Sequence, residues 1–147
     1  METQRKGNIT EVETMLAFLK LGYAVLIPYG CSERYDYIVD FNGRFIRIQS
    51  KHSTKLSHGK GFCFDIRSHH YETGKVVHDQ YTDDEIDYFA TSYDGKCYLV
   101  PVGAYKSQVK LRLIPSKDNR GIPCTWAKDF ELEKVIKKLE MEQKDER

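Results

Sequence analysis

Apolar side chains recur at helical spacing near both ends of the 147-residue chain and at strand spacing between them. From Thr10 to Leu21, Val12, Met15, Leu16, Phe18 and Leu19 fall on one arc at 100° per residue. That pattern predicts an amphipathic helix with Glu11 bordering its buried face. Asn8 and Thr10 both suit an N-cap, each with a glutamate three residues on (Glu11 and Glu13), and Gly22 ends the helix. An apolar run, Tyr23–Pro28, reads as a buried strand. Tyr35–Phe41 and Arg44–Lys51 flank Asn42-Gly43, a strong hairpin signal, and Gly61–Arg67 reads as a fourth strand. Ser68–Gln80 shows little periodicity and is expected to be a loop. Thr82 with Asp83, Asp84 and Glu85 resembles a one-turn helix start. Asp94-Gly95 joins YFATSY to KCYLVPV as a second hairpin. Val109–Ile114 is a further strand, followed by a loop with Pro115, Gly121 and Pro123. Glu131–Gln143 closes the series as a helix with Leu132, Val135, Ile136 and Leu139 on one side. Repeats, low-complexity tracts and linkers are lacking, so one α/β domain over residues 1–147 is expected.

The first hairpin also fixes which residues meet. With a two-residue turn at Asn42-Gly43, Phe41 faces Arg44, and counting outward puts Asp36 across from Gln49. Lys51 shares a strand face with Gln49, and opposed Cβ atoms lie about 4.5–5.5 Å apart. A carboxylate, an amide oxygen and an ammonium are thereby gathered at one end of paired strands, a candidate site for a divalent metal and a phosphate. The plainer alternative is a solvated Asp–Lys pair. Ile38, Val39, Phe45, Ile46 and Ile48 make this an inner strand pair, where ionic groups are costly unless used.

A helix bearing Glu11, an apolar strand ending in Pro28, and then YDYIVDFNGRFIRIQSK resemble the PD-(D/E)XK nuclease superfamily over Gly7 to Lys55. Within it the chain looks most like the intron-encoded homing endonucleases of cyanobacterial transfer-RNA introns. The resemblance implies a restriction-endonuclease-like mixed β-sheet flanked by helices. It also implies that Asp36 is the motif's first acid, Gln49 its second position, Lys51 its lysine and Glu11 a helix-borne addition to the metal site. The backbone carbonyl of Ser50 would be a further ligand. Tyr35 stands where the motif's name puts proline. Gln49 replaces the usual acid and removes one negative charge from the site.

Magnesium favours hard oxygen ligands and is commonly held by one or two carboxylates with water and substrate phosphate. Asp36 and Glu11 supply the two charges, and Gln49 a neutral oxygen. The expected reaction is hydrolysis of a phosphodiester in double-stranded DNA, dependent on Mg2+ with Mn2+ as a substitute. Water of lowered pKa attacks phosphorus in line while Lys51 orients it or stabilises charge on the phosphate. Two rivals stay open: a Holliday-junction-resolvase-like nuclease, and a non-catalytic DNA-binding protein that lost the acid at Gln49.

Composition alters this picture little, but charge placement matters. The formal net charge of +1 speaks against a polyanion partner until the chain is divided. Arg44, Arg47, Lys51, Lys55 and Lys60 lie in one stretch without an acid. Lys106, Lys110, Arg112, Lys117 and Arg120 lie in another against Asp118 alone. Asp79, Asp83, Asp84, Glu85, Asp87 and Asp94 form an acidic block that masks both. Arg44, Arg47, Lys55, Lys60, Lys106, Lys110 and Arg112 are therefore the candidate DNA contacts. Cys31, Cys63, Cys97 and Cys124 lack paired metal-ligand spacing and are expected to be reduced thiols. His69-His70 with His78 raises a second metal-site or HNH-type reading, for which companion ligands are not spaced. No signal peptide or membrane span is legible, so a cytoplasmic protein without a small-molecule cofactor is expected. Cutting both strands calls for a homo-oligomer: a dimer on symmetry grounds, and a tetramer by the resemblance. The apolar stripe of the last helix is either that interface or packed on its own sheet.

Overall fold

The computed structural model describes residues 2–114 and 125–146. The expected Pro115–Pro123 loop, Lys117, Arg120 and Cys124 lie outside these residues. The chain opens with α1 (Thr3–Lys20) and edge strand β1 (Ala24–Leu26). The hairpin β2 (Tyr37–Phe41) and β3 (Arg44–Ser50) turns through Asn42 and Gly43 at φ 51° and 91°, the left-handed pair such a turn requires. Its register matches the expected one from Phe41↔Arg44 to Tyr37↔Ile48. There follow β4 (Thr54–Lys55), β5 (Gly61–Asp65), β6 (Arg67–Glu72), β7 (Lys75–Gln80), β8 (Tyr88–Tyr93), β9 (Lys96–Pro101), β10 (Gln108–Arg112), a 3-10 turn (Ala127–Phe130) and α2 (Leu132–Asp145).

Five strands form a mixed sheet in the order β1-β2-β3-β8-β9, with β3 and β8 parallel and the other neighbours antiparallel. A parallel pair needs a long crossover, and here β4 to β7 supply it. One core cluster joins Phe18 of α1 and Leu132, Ile136 and Leu139 of α2 to Tyr37, Val39, Phe41, Ile46, Ile48, Ala90 and Leu99. A second joins Phe89, Tyr98 and Val100 of β8–β9 to Phe62 and Phe64 of β5 and Val109 and Leu111 of β10. These belong to a smaller sheet in the order β10-β5-β4. Gly61 is required where β5 meets β10, since a Cβ there would stand 2.2 Å from the Leu111 carbonyl oxygen. The architecture is the α/β, mixed-sheet class expected, with helices on the main sheet.

Four local expectations are corrected. Helix α1 starts at Thr3, well before Asn8 or Thr10. Its inward residues are Thr10, Thr14 and Phe18, while Val12, Leu16 and Leu19 are exposed. Small polar residues let the helix lie close: Tyr37 Oη donates to Thr14 Oγ1 at 2.8 Å, and Thr10 Oγ1 meets His52 Nδ1 at 3.1 Å. Strand β1 is an edge strand with Ala24 and Leu26 exposed, not a buried one. Residues 67–80 form the β6–β7 hairpin rather than a loop, turning at Thr73-Gly74. The Thr82–Glu85 segment closes a single turn, Glu85 N–H to Thr82 O at 3.0 Å, and does not propagate as helix because β8 begins at Tyr88. The stripe of α2 is packed on its own sheet.

Candidate active site

The β2–β3 hairpin delivers its chemistry just past its last paired residues. Asp36 precedes β2. Its N–H donates to the Ile48 carbonyl at 2.8 Å, and its Oδ2 accepts the Ser50 N–H at 2.7 Å. The carboxylate is thereby pinned at the end of β3 by two backbone bonds on either side of Gln49. Glu11, on the inward-facing edge of α1, is half-buried and close enough for the two carboxylates to repel. Burial, then Asp36, raises the Glu11 carboxyl above its ordinary value. Asp36 is also raised, by burial, against the opposing pull of the Ser50 N–H and of Lys51. Two desolvated carboxylates facing each other are destabilised as anions, and a cation between them relieves both.

Lys51 follows β3, its N–H bonded to the Ala90 carbonyl at 2.9 Å. Its Nζ donates to the Arg67 carbonyl at 3.1 Å and lies 5.0 Å from the centroid of the Tyr81 ring. Burial lowers its pKa, Asp65 and Asp36 oppose that, and the nearby Arg34 adds to it. Gln49 is half-buried on the Lys51 face of β3, and its carboxamide has no hydrogen-bond partner among the described residues. The Ser50 hydroxyl is buried and likewise unpartnered.

The donor set fits a hard divalent cation: two carboxylates that repel one another, an amide oxygen without a partner, and a lysine alongside. Among the described residues no group of three or more His, Cys, Asp or Glu is placed to hold a metal. His69 and His78 do meet, Nδ1 to Nδ1 at 2.6 Å, as an exposed cross-strand pair.

Arg34 and Tyr81 complete the surroundings of Lys51 and were not legible in the sequence. Arg34 lies with its guanidinium carbon 4.3 Å from the Tyr81 centroid, and its Nε pairs with Glu85 Oε2 at 2.6 Å. Arg34 Nη1 also donates to Ser68 Oγ at 3.0 Å. Two partners of Arg34, Ser68 and the Gln80 carbonyl, come from the unexpected hairpin, so no local spacing could have revealed them.

The candidate DNA contacts are dispersed. Lys110 and Arg112 alternate with the buried Val109 and Leu111 on β10, on the outer face of the smaller sheet. The exposed Lys106 precedes them; Lys55 is exposed on β4, Lys60 is half-buried, and Arg44 is exposed. Arg44 sits at the turn end of β3, roughly 20 Å along the strand from Lys51 at about 3.3 Å per residue. Arg47 is committed within the fold rather than presented to a phosphate. It chelates Asp87, Nε to Oδ2 at 3.1 Å and Nη2 to Oδ1 at 3.2 Å, and also donates to the carbonyls of Asp83 and Asp84. Arg47→Ala is expected to lower the melting temperature by about 4–8 °C, equivalent to ~2 kcal/mol, and to leave duplex affinity unchanged. Thermal denaturation beside a binding titration checks this. A fall in affinity without a fall in stability would make Arg47 a phosphate contact.

Among the described residues, no helix is long and apolar enough to cross a membrane. The described Cys31, Cys63 and Cys97 are free thiols.

A search of curated protein sequences gives no significant match. The chain is similar in structure to a bacterial homing endonuclease, I-Ssp6803I, with a TM-score of 0.76 and 21% sequence identity. The likeness covers 97% of this chain and 99% of that one, and at such identity it establishes a shared fold. The family model of the PD-(D/E)XK endonucleases matches residues 1–133, spanning α1, the motif hairpin and every strand of the described residues. On that match the chain belongs to the PD-(D/E)XK endonuclease family.

Proposed function

We propose that this chain is a magnesium-dependent, site-specific endonuclease that hydrolyses phosphodiester bonds in double-stranded DNA, of the homing type. The observation that carries the reading is the convergence of Asp36, Glu11 and Lys51 at the end of the motif hairpin. Asp36 is oriented by the Ser50 N–H, and Glu11 is brought in by α1. Asp36, Glu11, the Gln49 amide oxygen and the Ser50 carbonyl would hold Mg2+, or Mn2+ in its place. The ion would supply Lewis-acid polarisation of the phosphate and a lowered pKa for water.

Lys51 acts on the substrate side. Its ammonium, held by the Arg67 carbonyl and against Tyr81, faces the developing charge on the phosphate oxygens or fixes the attacking water. Glu11 compensates for the acid missing at Gln49. Lys110 and Arg112 on the outer face of β10, Lys106 just before that strand and Lys60 just before β5 supply a backbone track, to which Lys55 adds from the edge strand β4, where it pairs with the inward Phe62. The whole of residues 1–147 serves as one endonuclease domain in this reading, acting in the cytoplasm.

Two antiparallel strands need two sites, so a second copy is part of the proposal. With the α2 stripe buried, the surface for it is the outer face of α1, where Ile9, Val12, Leu16 and Leu19 are 42%, 59%, 47% and 53% exposed. They recur at spacings of three and four, as in a coiled-coil seam, about 180° from the inward Thr10–Thr14–Phe18 face. Leu16→Glu is expected to convert the oligomer to monomer in sedimentation velocity. An unchanged sedimentation coefficient removes α1 from the interface.

Incubation with Mg2+ and either long duplex DNA or four-way junctions tests the reaction itself. Discrete duplex fragments support the proposal. Junction-only cleavage makes the chain a resolvase-like enzyme, and tight binding without cleavage makes it a DNA-binding protein on the nuclease fold.

A further inference from the structure

We propose that the β6–β7 hairpin is a ribbon that enters the major groove of duplex DNA and sets which sequence this chain cuts. The inference rests on the DNA-cleaving reading above and adds to it the element that reads bases. Among the described residues, strands β6 and β7 pair only with each other, over Arg67↔Gln80 to Glu72↔Lys75, and form their own two-stranded sheet. An isolated hairpin is marginal in water, and none of the side chains described in this one is buried. Its facing Tyr71 and Val76 are 80% and 48% exposed, and Thr73 at its tip holds φ 47°, a conformation β-branched residues avoid.

What surrounds the base of the ribbon indicates what it meets. The Arg67 carbonyl holds Lys51 Nζ at 3.1 Å, Arg34 Nη1 donates to Ser68 Oγ at 3.0 Å, and Gln80 Nε2 donates to the Lys106 carbonyl at 3.1 Å. The ribbon therefore grows out between the catalytic lysine and the first residue of the basic track. Six residues at about 3.3 Å each carry its tip roughly 20 Å outward. On a duplex engaged at Lys51 that reach corresponds to about six base pairs.

The chemistry of the ribbon suits base edges better than phosphates. Its formal charges cancel, Arg67 and Lys75 against Glu72 and Asp79. One face carries His69, Tyr71, Val76 and His78. His69 is held by Asp65 Oδ2, 3.4 Å from its Nε2, and by His78 Nδ1, which leaves His78 Nε2 for an outside partner. An imidazole nitrogen, a tyrosine hydroxyl and a valine methyl can meet base donors, acceptors and the thymine methyl. The major groove, about 12 Å wide, admits a two-stranded ribbon. Backbone attraction then falls to Lys106, Lys110 and Arg112, and sequence discrimination to the hairpin.

The test uses the full chain and two variants. One carries Tyr71→Ala with His78→Ala. The other replaces residues 69–78 by Asn-Gly, keeping Arg67, Ser68, Asp79 and Gln80. Each is selected against a pool of duplexes with 30 randomised base pairs in Ca2+, then assayed for Mg2+-dependent nicking of supercoiled plasmid. The expected result is a defined sequence for the full chain. Both variants should retain Mg2+-dependent nicking of plasmid and lose about tenfold or more in preference for that sequence. The loss should centre some six base pairs from the cut. Variants that select the same sequence with undiminished preference overturn the proposal. So does a change in sedimentation without a change in selection, which would make the ribbon a subunit contact. A full chain that neither nicks nor selects refutes the DNA-cleaving reading itself, an outcome distinct from failure of the ribbon alone.

Discussion

Replacing Lys51 by alanine is expected to abolish magnesium-dependent cleavage, a loss of about 10²–10³-fold or more, while duplex binding survives. The reason lies in how the ammonium is held. Its hydrogen bond to the Arg67 carbonyl and its place beside the Tyr81 ring leave it few orientations. Such a preorganised charge contributes most where charge develops during reaction, because no reorientation is needed at that moment. Binding depends instead on several dispersed cations, of which Lys51 is one, so its removal should lower the salt slope by about one. Single-turnover cleavage measured beside affinity separates the two effects. Equal losses in rate and affinity would make Lys51 a binding group, and a fully active variant would remove it from the reaction.

The motif hairpin was readable because its information is local. Asn42-Gly43 specifies the turn, the turn specifies the register, and the register runs unbroken to Tyr37↔Ile48. The last step is different. Asp36 does not continue the ladder but turns its carboxylate onto the Ser50 N–H, a contact that counting along strands cannot show. Helix α1 illustrates the opposite case. Its apolar arc is real, but periodicity reports only that two faces differ, not which one meets the sheet. Here Thr10 and Thr14 face inward because each bonds a side chain of the sheet region, His52 or Tyr37. Glu11 still borders the buried face, though from the threonine side.

The β6–β7 hairpin escaped notice for a related reason. Strand periodicity is visible when one face is buried, and none of the side chains described in this ribbon is buried. With the hairpin went everything anchored at its base: the Arg67 carbonyl on Lys51, Arg34 on Ser68, and Tyr81 beside both cations. Arg47 shows how a charge block misleads. It belongs to a basic stretch in sequence, yet the acidic block supplies its partners, Asp83, Asp84 and Asp87, so two segments that looked like separate surfaces neutralise each other in space.

Asp36→Asn is expected to stabilise the metal-free protein while eliminating its activity. Burial raises both Asp36 and Glu11, and the Asp36 charge adds to the rise at Glu11. A carboxyl whose folded pKa lies above its unfolded one binds its proton more tightly in the folded chain. The stability it contributes is therefore present at low pH and is lost as pH rises through the raised value. Wherever both groups are ionised, the fold without metal carries their repulsion. Asparagine removes one charge and can still accept the Ser50 N–H through its amide oxygen. In EDTA at neutral pH the variant should melt about 2–6 °C higher, the range typical of relieving one unfavourable group. Its melting temperature should also change less with pH above the ordinary carboxylate range. Addition of Mg2+ should stabilise the unaltered chain by about 2.7 kcal/mol at a hundredfold excess over the dissociation constant, raising its melting point, and leave the variant unmoved. Differential scanning calorimetry with and without the ion reads both effects. A variant that melts lower in EDTA would show that Asp36 is a structural anchor for β3, and one that keeps the full Mg2+ shift would remove Asp36 from the metal.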